Sequence, residues 1–131
     1  MGWSIPTAPL TVFASAARTA TATSSELRIP GGPGGQYRGL AVIVDVTAIT
    51  ATPSVTFAIQ SSSGPDDDYV AVLTSAAVVA TGSTILVVHP SVPTERTNVL
   101  DQGPLESKWR VVATHGDADS ITYSVTAFAL R

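Results

Sequence analysis

Two histidines and the aspartates beside one of them are the residues best suited to metal or acid–base chemistry. His89 and His115 are the only histidines of the chain, and Asp117 and Asp119 follow the second one closely. A zinc site needs roughly three or four ligands with supporting contacts around them, and here at most two imidazoles with carboxylates could converge. Each histidine lies at the end of a predicted strand, where a hydrogen-bonded structural histidine is usual. With a serine they also have the residue types of a hydrolase triad, but no Gly-x-Ser-x-Gly motif is present. We therefore predict no catalytic residue and no metal site, and a protein that is not an enzyme.

Asp66–Asp68 and Gly31–Gly35 are two further candidates for ligand binding. Clustered carboxylates suit calcium, but three consecutive aspartates lack the alternating spacing of a calcium loop. The glycine run lacks the Gly-Lys-Ser/Thr ending of a phosphate-binding loop, and its proline removes an amide donor. We expect a solvated hairpin tip at the aspartates, a flexible connector at the glycines, and no cofactor.

Three aromatic residues, Trp3, Tyr37 and Trp109, could form a stacking platform for a sugar. Only 6% of the chain is aromatic, and Trp109 alternates in phase with Val111 and Ala113. That phase indicates a core position for Trp109. A host-surface or carbohydrate-binding module is therefore a secondary alternative.

The composition points to β-structure and excludes several classes of protein. About half of the 131 residues are Ala, Thr, Val or Ser, and only 13% are charged. The absence of cysteine excludes disulfides, thiolate metal sites and a cysteine nucleophile. The net charge is −3 and the seven lysines and arginines are scattered along the sequence, so we expect no nucleic-acid partner. No apolar run is long enough for a membrane helix, and residues 1–6 lack the basic region of a signal peptide.

Alternating apolar and polar residues predict strands throughout the chain and helices nowhere. The clearest segment is 40–49, in which Leu40, Val42, Val44 and Val46 share one face. The further strands are predicted at 17–23, 55–60, 69–75, 84–89, 108–115 and 121–127. The fold class is all-β, a single β-sandwich or jelly-roll-like domain of roughly seven to eight strands. Jelly-roll and immunoglobulin-like connectivity both remain open.

Two apolar segments outside these strands are the candidate contact regions. Residues 1–15 read as an extended N-terminal arm preceding a domain at 16–131, and residues 90–104 as a long proline-rich loop. The arm could pack on its own domain or reach a neighbouring subunit. For the second case we expect deletion of residues 2–13 to abolish partner binding and to leave the domain folded. The predicted contact residues are Trp3, Ile5, Pro6, Leu10, Val12 and Phe13 of the arm and Val92, Pro93, Val99 and Leu100 of the loop.

Three blocks of the sequence resemble small virion proteins of tailed bacteriophages that infect actinobacteria. They are the segment 42–60 (VIVDVTAITATPSVTFAIQ), the segment 109–125 (WRVVATHGDADSITYSV) and the opening strand 18–24 (RTATATS). The blocks span about residues 16–129, nearly the whole chain. None of them is a catalytic or ligand-binding motif, so no functional residue is carried over.

The resemblance implies a non-enzymatic virion structural protein and suggests a place for it in the particle. Small β-sandwich proteins of this kind decorate phage heads, commonly as trimers on local threefold axes. We therefore expect a capsid decoration protein on the head exterior, a homotrimer that binds the major capsid protein, with no nucleic-acid or membrane partner. The alternative within the same biology is a minor tail or tail-tip protein.

Overall fold

A computed structural model describes residues 10–28, 39–62, 69–89, 97–100 and 108–130. Within these residues the regular structure is β-strand, and no helix there could span a membrane. In chain order the strands are β1 (Leu10–Arg18), β2 (Ala22–Thr23), β3 (Leu27–Arg28), β4 (Gly39–Ile49), β5 (Val55–Ser62), β6 (Val70–Thr74), β7 (Gly82–Val88), β8 (Val99–Leu100), β9 (Lys108–His115) and β10 (Ile121–Leu130).

The strands form two sheets that pack face to face as a β-sandwich. Sheet A has the order β1-β10-β4-β7-β8, and sheet B has the order β2-β9-β5-β6, with β3 also paired to β9. All pairs are antiparallel except β7 with β8. The predicted all-β sandwich is confirmed, but the described residues form ten strands instead of the predicted seven to eight, because the short β2, β3 and β8 were not predicted as separate strands.

The connectivity is that of a jelly roll. The chain pairs as nested hairpins: β5 with β6, β4 with β7, β2 and β3 with β9, and β1 with β10. Folding this long ribbon over itself brings β10 against β4 and β9 against β5, which completes the two sheets. The question of jelly-roll or immunoglobulin-like order is thereby resolved.

The core lies between the sheets and is filled by alternate residues of the longer strands. The predicted inner faces of β4, β5, β9 and β10 are buried, and Trp109 among them is only 1% exposed. Tyr123 meets Phe57 edge-to-face, with ring centroids 5.1 Å apart, and Phe13 in the same manner at 6.1 Å. Such pairs add about 0.5–1.5 kcal/mol to the free energy of burial.

The structure corrects three boundaries of the predicted strands. The strand predicted at 17–23 is interrupted at residues 19–21, where the chain leaves sheet A and enters sheet B. β1 begins at Leu10, so residues 10–15, assigned to the arm, lie in a strand. The loop predicted at 90–104 contains β8. Short elements such as β2, β3 and β8 have too few residues to show a periodicity.

The start of β4 lies very close to the end of β7. A Cβ built on Gly39 would overlap the carbonyl oxygen of Val88 and crowd the ring of His89. Glycine is therefore required at this position by the close approach of two backbones, and not by its own dihedral angles.

Candidate interaction surfaces

The outer face of sheet A carries two apolar rows. Cross-strand register places six residues of β10, β4 and β7 in these rows, Thr126–Ile43–Ile85 and Phe128–Ala41–Val87. Ile85 is 52% exposed, and the remaining apolar members are half-buried. Because opposite residues of neighbouring strands share one face, the apolar side chains form a continuous patch. We call Ala41, Ile43, Ile85, Val87 and Phe128 the apolar outer face.

One of the predicted contact residues borders this face. Val99 in β8 pairs with Val87 and is half-buried, so it extends the second row by one strand. Leu100 follows it in β8 and pairs with Val88. The third row, with Asp45 between Ser124 and Ser83, is polar and marks the opposite border.

Asn98 holds β8 in place. It has a φ of 66°, a left-handed conformation that asparagine tolerates better than most residues. Its carbonyl oxygen accepts a hydrogen bond from the Val87 amide at 2.9 Å, and its side-chain Oδ1 accepts one from the Ala76 amide at 2.9 Å. The proline-rich region is thus tied at this point to both β7 and the β6–β7 connection.

The predicted contact residues of the arm fall in two groups. Leu10 is 41% exposed, Val12 is half-buried against the core, and Phe13 is 8% exposed within the core. For Phe13 the alternative of packing on its own domain is therefore correct, because its ring fills space beside Tyr123. Trp3, Ile5, Pro6, Val92 and Pro93 lie outside the described residues.

One end of the outer face of sheet B carries charged side chains. Glu26 pairs with Arg28 at 3.1 Å and with Lys108 at 3.8 Å, and it accepts a hydrogen bond from the Tyr69 hydroxyl at 3.2 Å. Arg110 lies 4.0 Å above the ring of Tyr69. The lysines and arginines are scattered along the sequence, but the register of β3 against β9 brings Arg28 beside Lys108. This end of sheet B therefore differs in chemical character from the apolar outer face of sheet A.

Arg18 fastens β1, the edge strand of sheet A, to β10. Its guanidinium donates hydrogen bonds to the carbonyl oxygens of Ala14 (2.7 Å), Ala16 (3.2 Å) and Tyr123 (2.9 Å). It also lies over the rings of Tyr123 and Phe13, at 4.5 Å and 5.1 Å from their centroids. Two of these carbonyl groups belong to β1, where its register against β10 shifts between Phe13 and Ala16, and the third belongs to β10, so the guanidinium joins the two strands at that irregularity.

His115 packs against Tyr123 and has a structural role. Its Nε2 lies 3.1 Å from the Tyr123 hydroxyl, and its Nδ1 is buried without a hydrogen-bond partner. Burial lowers the pKa of His115, and Arg18 adds to this, while Asp117 opposes it. Burial likewise raises the pKa of Tyr123. Both groups are held in their neutral forms, which suits a packed junction.

The carboxylates near His115 accept hydrogen bonds from backbone amides. Asp117 Oδ1 accepts a hydrogen bond from the Asp119 amide at 3.0 Å, and Asp119 Oδ2 accepts one from the Thr52 amide at 3.1 Å. The described residues contain no group of three potential metal ligands. His89 is half-buried just after β7.

The remaining candidates for ligand binding do not form a described site. Asp66–Asp68, Gly31–Gly35, Trp3 and Tyr37 lie outside the described residues. Trp109 is buried, so it cannot present its ring to a sugar. The predicted core position of Trp109 is confirmed.

Comparison with known proteins gives no family assignment. No protein-family model matches the chain, and a search of curated proteins finds no significant match. The resemblance to phage virion proteins stays a prediction.

Proposed function

We propose that this protein is a non-enzymatic structural component of a bacteriophage virion, a decoration protein on the capsid exterior. Its partners are the major capsid protein and further copies of itself, at the junctions between capsomers. The observation that carries the proposal is the apolar outer face of sheet A, in which Ile43 and Ile85 lie side by side and in contact with solvent.

Burial of this face would supply binding free energy without any chemical step. Transfer of an exposed isoleucine side chain from water to a packed interface contributes about 1.5–3 kcal/mol. Ile85 is 52% exposed, so burial of its remaining exposed surface would supply part of this free energy. Burial of the half-buried Phe128 and Val87 would add to it. Contacts of this size are weak singly, but they add up through avidity when copies are linked on a repeating lattice.

The fold and the sequence resemblance support the same assignment. Jelly rolls are common in viral capsid domains, although lectins and enzymes also use them, so the fold alone does not choose a function. Val99, from the predicted contact loop, borders the apolar outer face. We therefore place the capsid contact on this face, with Trp3, Ile5, Pro6, Val92 and Pro93 as proposed contributors.

The deciding experiment is a count of copies per particle. Quantitative mass spectrometry of purified virions would compare this polypeptide with the major capsid protein. A ratio approaching one copy per capsid subunit is expected of a protein that follows the head lattice. A handful of copies per particle would place it in the tail, and absence from the virion would overturn the proposal.

A further inference from the structure

Three side chains close the sandwich where the chain crosses from sheet A to sheet B, at residues 19–21. Tyr123 of β10 is buried, and its hydroxyl lies 3.1 Å from Nε2 of His115, the last residue of β9. The Arg18 guanidinium lies 4.5 Å from the centroid of the same tyrosine ring. The His115 amide also donates a hydrogen bond to Thr21 Oγ1, at 3.1 Å, within the crossing. We call Arg18, His115 and Tyr123 the crossover cluster.

His115 fits the crossover cluster as a neutral ring. Its Nδ1 is buried and has no hydrogen-bond partner among the described residues. In the neutral ring the hydrogen can reside on Nε2 and point to the Tyr123 oxygen, which leaves Nδ1 bare. Protonation places a hydrogen on both nitrogens, so the charged ring would bury an N–H group without an acceptor. The geometry therefore penalises the imidazolium form.

The charged groups around this imidazole oppose one another. Burial lowers the pKa of His115 most, Arg18 of β1 lowers it further, and Asp117 in the turn after β9 raises it. Burial raises the pKa of Tyr123, so the tyrosine stays neutral. Asp119, in the same turn, accepts its hydrogen bond from the backbone, and residues 19–21 and 50–54 have no titratable side chain. An imidazolium at this position would therefore face the positive charge of Arg18.

We propose that protonation of His115 promotes detachment of β1 from sheet A, while the rest of the sandwich stays folded. Among the described strands β1 pairs with β10 alone, and its register shifts twice along that pairing. β10 has a second partner, since it pairs with β4 from Ile121 to Leu130. β1 is therefore the long strand of sheet A whose loss disturbs the remaining pairing least.

Detachment of β1 would relieve the strain that protonation introduces. It removes the Arg18 guanidinium from the Tyr123 ring and frees the crossing that contacts the His115 amide, so water can reach the imidazolium. The released strand carries Val12 and Phe13, which pack in the core when it is attached. Acid thus favours exposure of an apolar segment. The inference does not depend on the proposed location in a virion, because the whole crossover cluster lies within one chain.

Hydrogen exchange of the full chain between about pH 7.5 and about pH 5.5 tests the proposal. Protection factors, corrected for the intrinsic effect of pH on exchange, are compared for the amides of β1 and β4. We expect β1 to exchange through an opening of lower free energy than that of β4, and one that low urea concentrations scarcely change, because release of one strand exposes little surface. Below pH 6.5 the protection of β1 should fall by up to about tenfold per pH unit, since each opening takes up one proton.

Three variants assign the effect to the crossover cluster. His115→Gln should make the protection of β1 independent of pH in this range, because glutamine does not titrate. The matched control is His89→Gln, which replaces the other histidine, at the opposite end of sheet A, and should behave as the wild type does. Asp117→Asn should enlarge the fall in acid, because it removes a carboxylate that favours the imidazolium and keeps the oxygen that accepts from the Asp119 amide.

Each remaining outcome would overturn the proposal. Protection of β1 that does not change with pH in the wild type, or that changes equally in His115→Gln, would show that His115 does not control the strand. Exchange of β1 at the same free energy as β4 would show that β1 does not detach separately from global unfolding. If His115→Gln does not fold, Asp117→Asn decides, and a fall in acid no larger than that of the wild type would refute the role of His115.

Discussion

The guanidinium of Arg18 lies over the ring of Tyr123 and donates a hydrogen bond to the carbonyl oxygen of that same residue, at 2.9 Å. One side chain thus fastens the end of β1 to β10. Its further hydrogen bonds to Ala14 and Ala16 satisfy carbonyl groups at the point where β1 shifts register against β10. Attachment of the edge strand to β10 therefore depends strongly on this one residue.

Replacement of Arg18 should destabilise the fold measurably. Arg18→Ala removes three hydrogen bonds from a charged donor and the stacking on two rings, so we expect the free energy of unfolding to fall by about 1–3 kcal/mol. Urea denaturation followed by tryptophan fluorescence measures the change. The control is Arg28→Ala, whose ion pair with Glu26 is exposed and should be worth under about 1 kcal/mol. Equal losses in the two variants would contradict the role of Arg18.

The free energy of unfolding should depend on pH because His115 resists protonation in the folded protein. Its pKa is lowered in the folded protein, whereas the unfolded chain titrates near the ordinary value of 6.5. As the pH falls through 6.5, the unfolded state takes up a proton that the folded state resists, so the free energy of unfolding decreases. The decrease stops below the folded-state pKa.

Comparison with His115→Gln isolates this contribution from that of the carboxylates. Both proteins would be unfolded in urea at closely spaced pH values from neutral downwards. We expect the wild type to lose more stability than the variant just below pH 6.5. Parallel curves for the two proteins would show that His115 titrates normally.

Gly39 should tolerate no side chain. Gly39→Ala forces a methyl group into the Val88 carbonyl oxygen, and the backbones of β4 and β7 must separate. We expect a loss of about 1–3 kcal/mol in thermal or urea unfolding. Gly116→Ala is the matched control, because its Cβ would meet only ordinary contacts at 3.4 Å and beyond. A neutral Gly39→Ala would show that the two strands can move apart freely.

Truncation of the N-terminus should have two different outcomes. Deletion of residues 2–13, expected from sequence to leave the domain folded, removes Phe13 from the core and part of β1. Loss of a buried phenylalanine side chain alone costs about 3–5 kcal/mol. Deletion of residues 2–9 leaves β1 intact and should retain the cooperative unfolding transition. Circular dichroism and urea unfolding of the two truncated proteins distinguish these outcomes.

Capsid binding should depend on the apolar outer face. Ile85→Lys adds a charge beside Ile43, so binding to heads that lack the protein should weaken at least roughly tenfold in a co-sedimentation assay. Thr114→Lys adds the same charge on the outer face of sheet B and should bind as the wild type does. Equal binding by all three proteins would move the contact to another surface.

The inner faces of the long strands could be predicted because alternation along one strand is a local property. The alternation of Val42, Val44 and Val46 predicts a buried face, whichever strand lies beside theirs. The core position of Trp109 is likewise predicted by its alternation with Val111. The fold class follows from the same local signals.

The surfaces could not be predicted because they depend on register between distant segments. Arg28 meets Lys108 only once β3 pairs with β9, and Ile43 meets Ile85 only once β4 pairs with β7. The role of Arg18 was missed for a related reason, since its targets on β10 lie more than a hundred residues away. The backbone conformation at Asn98 could have been predicted, because asparagine favours the left-handed conformation that it adopts here.

The nested pairing has a consequence for how the protein is made. Among the described strands β1 is the first to leave the ribosome, and its partner β10 is the last. Sheet A therefore cannot close before β10 has been synthesised, and β1 with its large apolar residues remains unpaired with it until then. A nascent chain stalled before residue 121 therefore lacks the strand that shields Phe13.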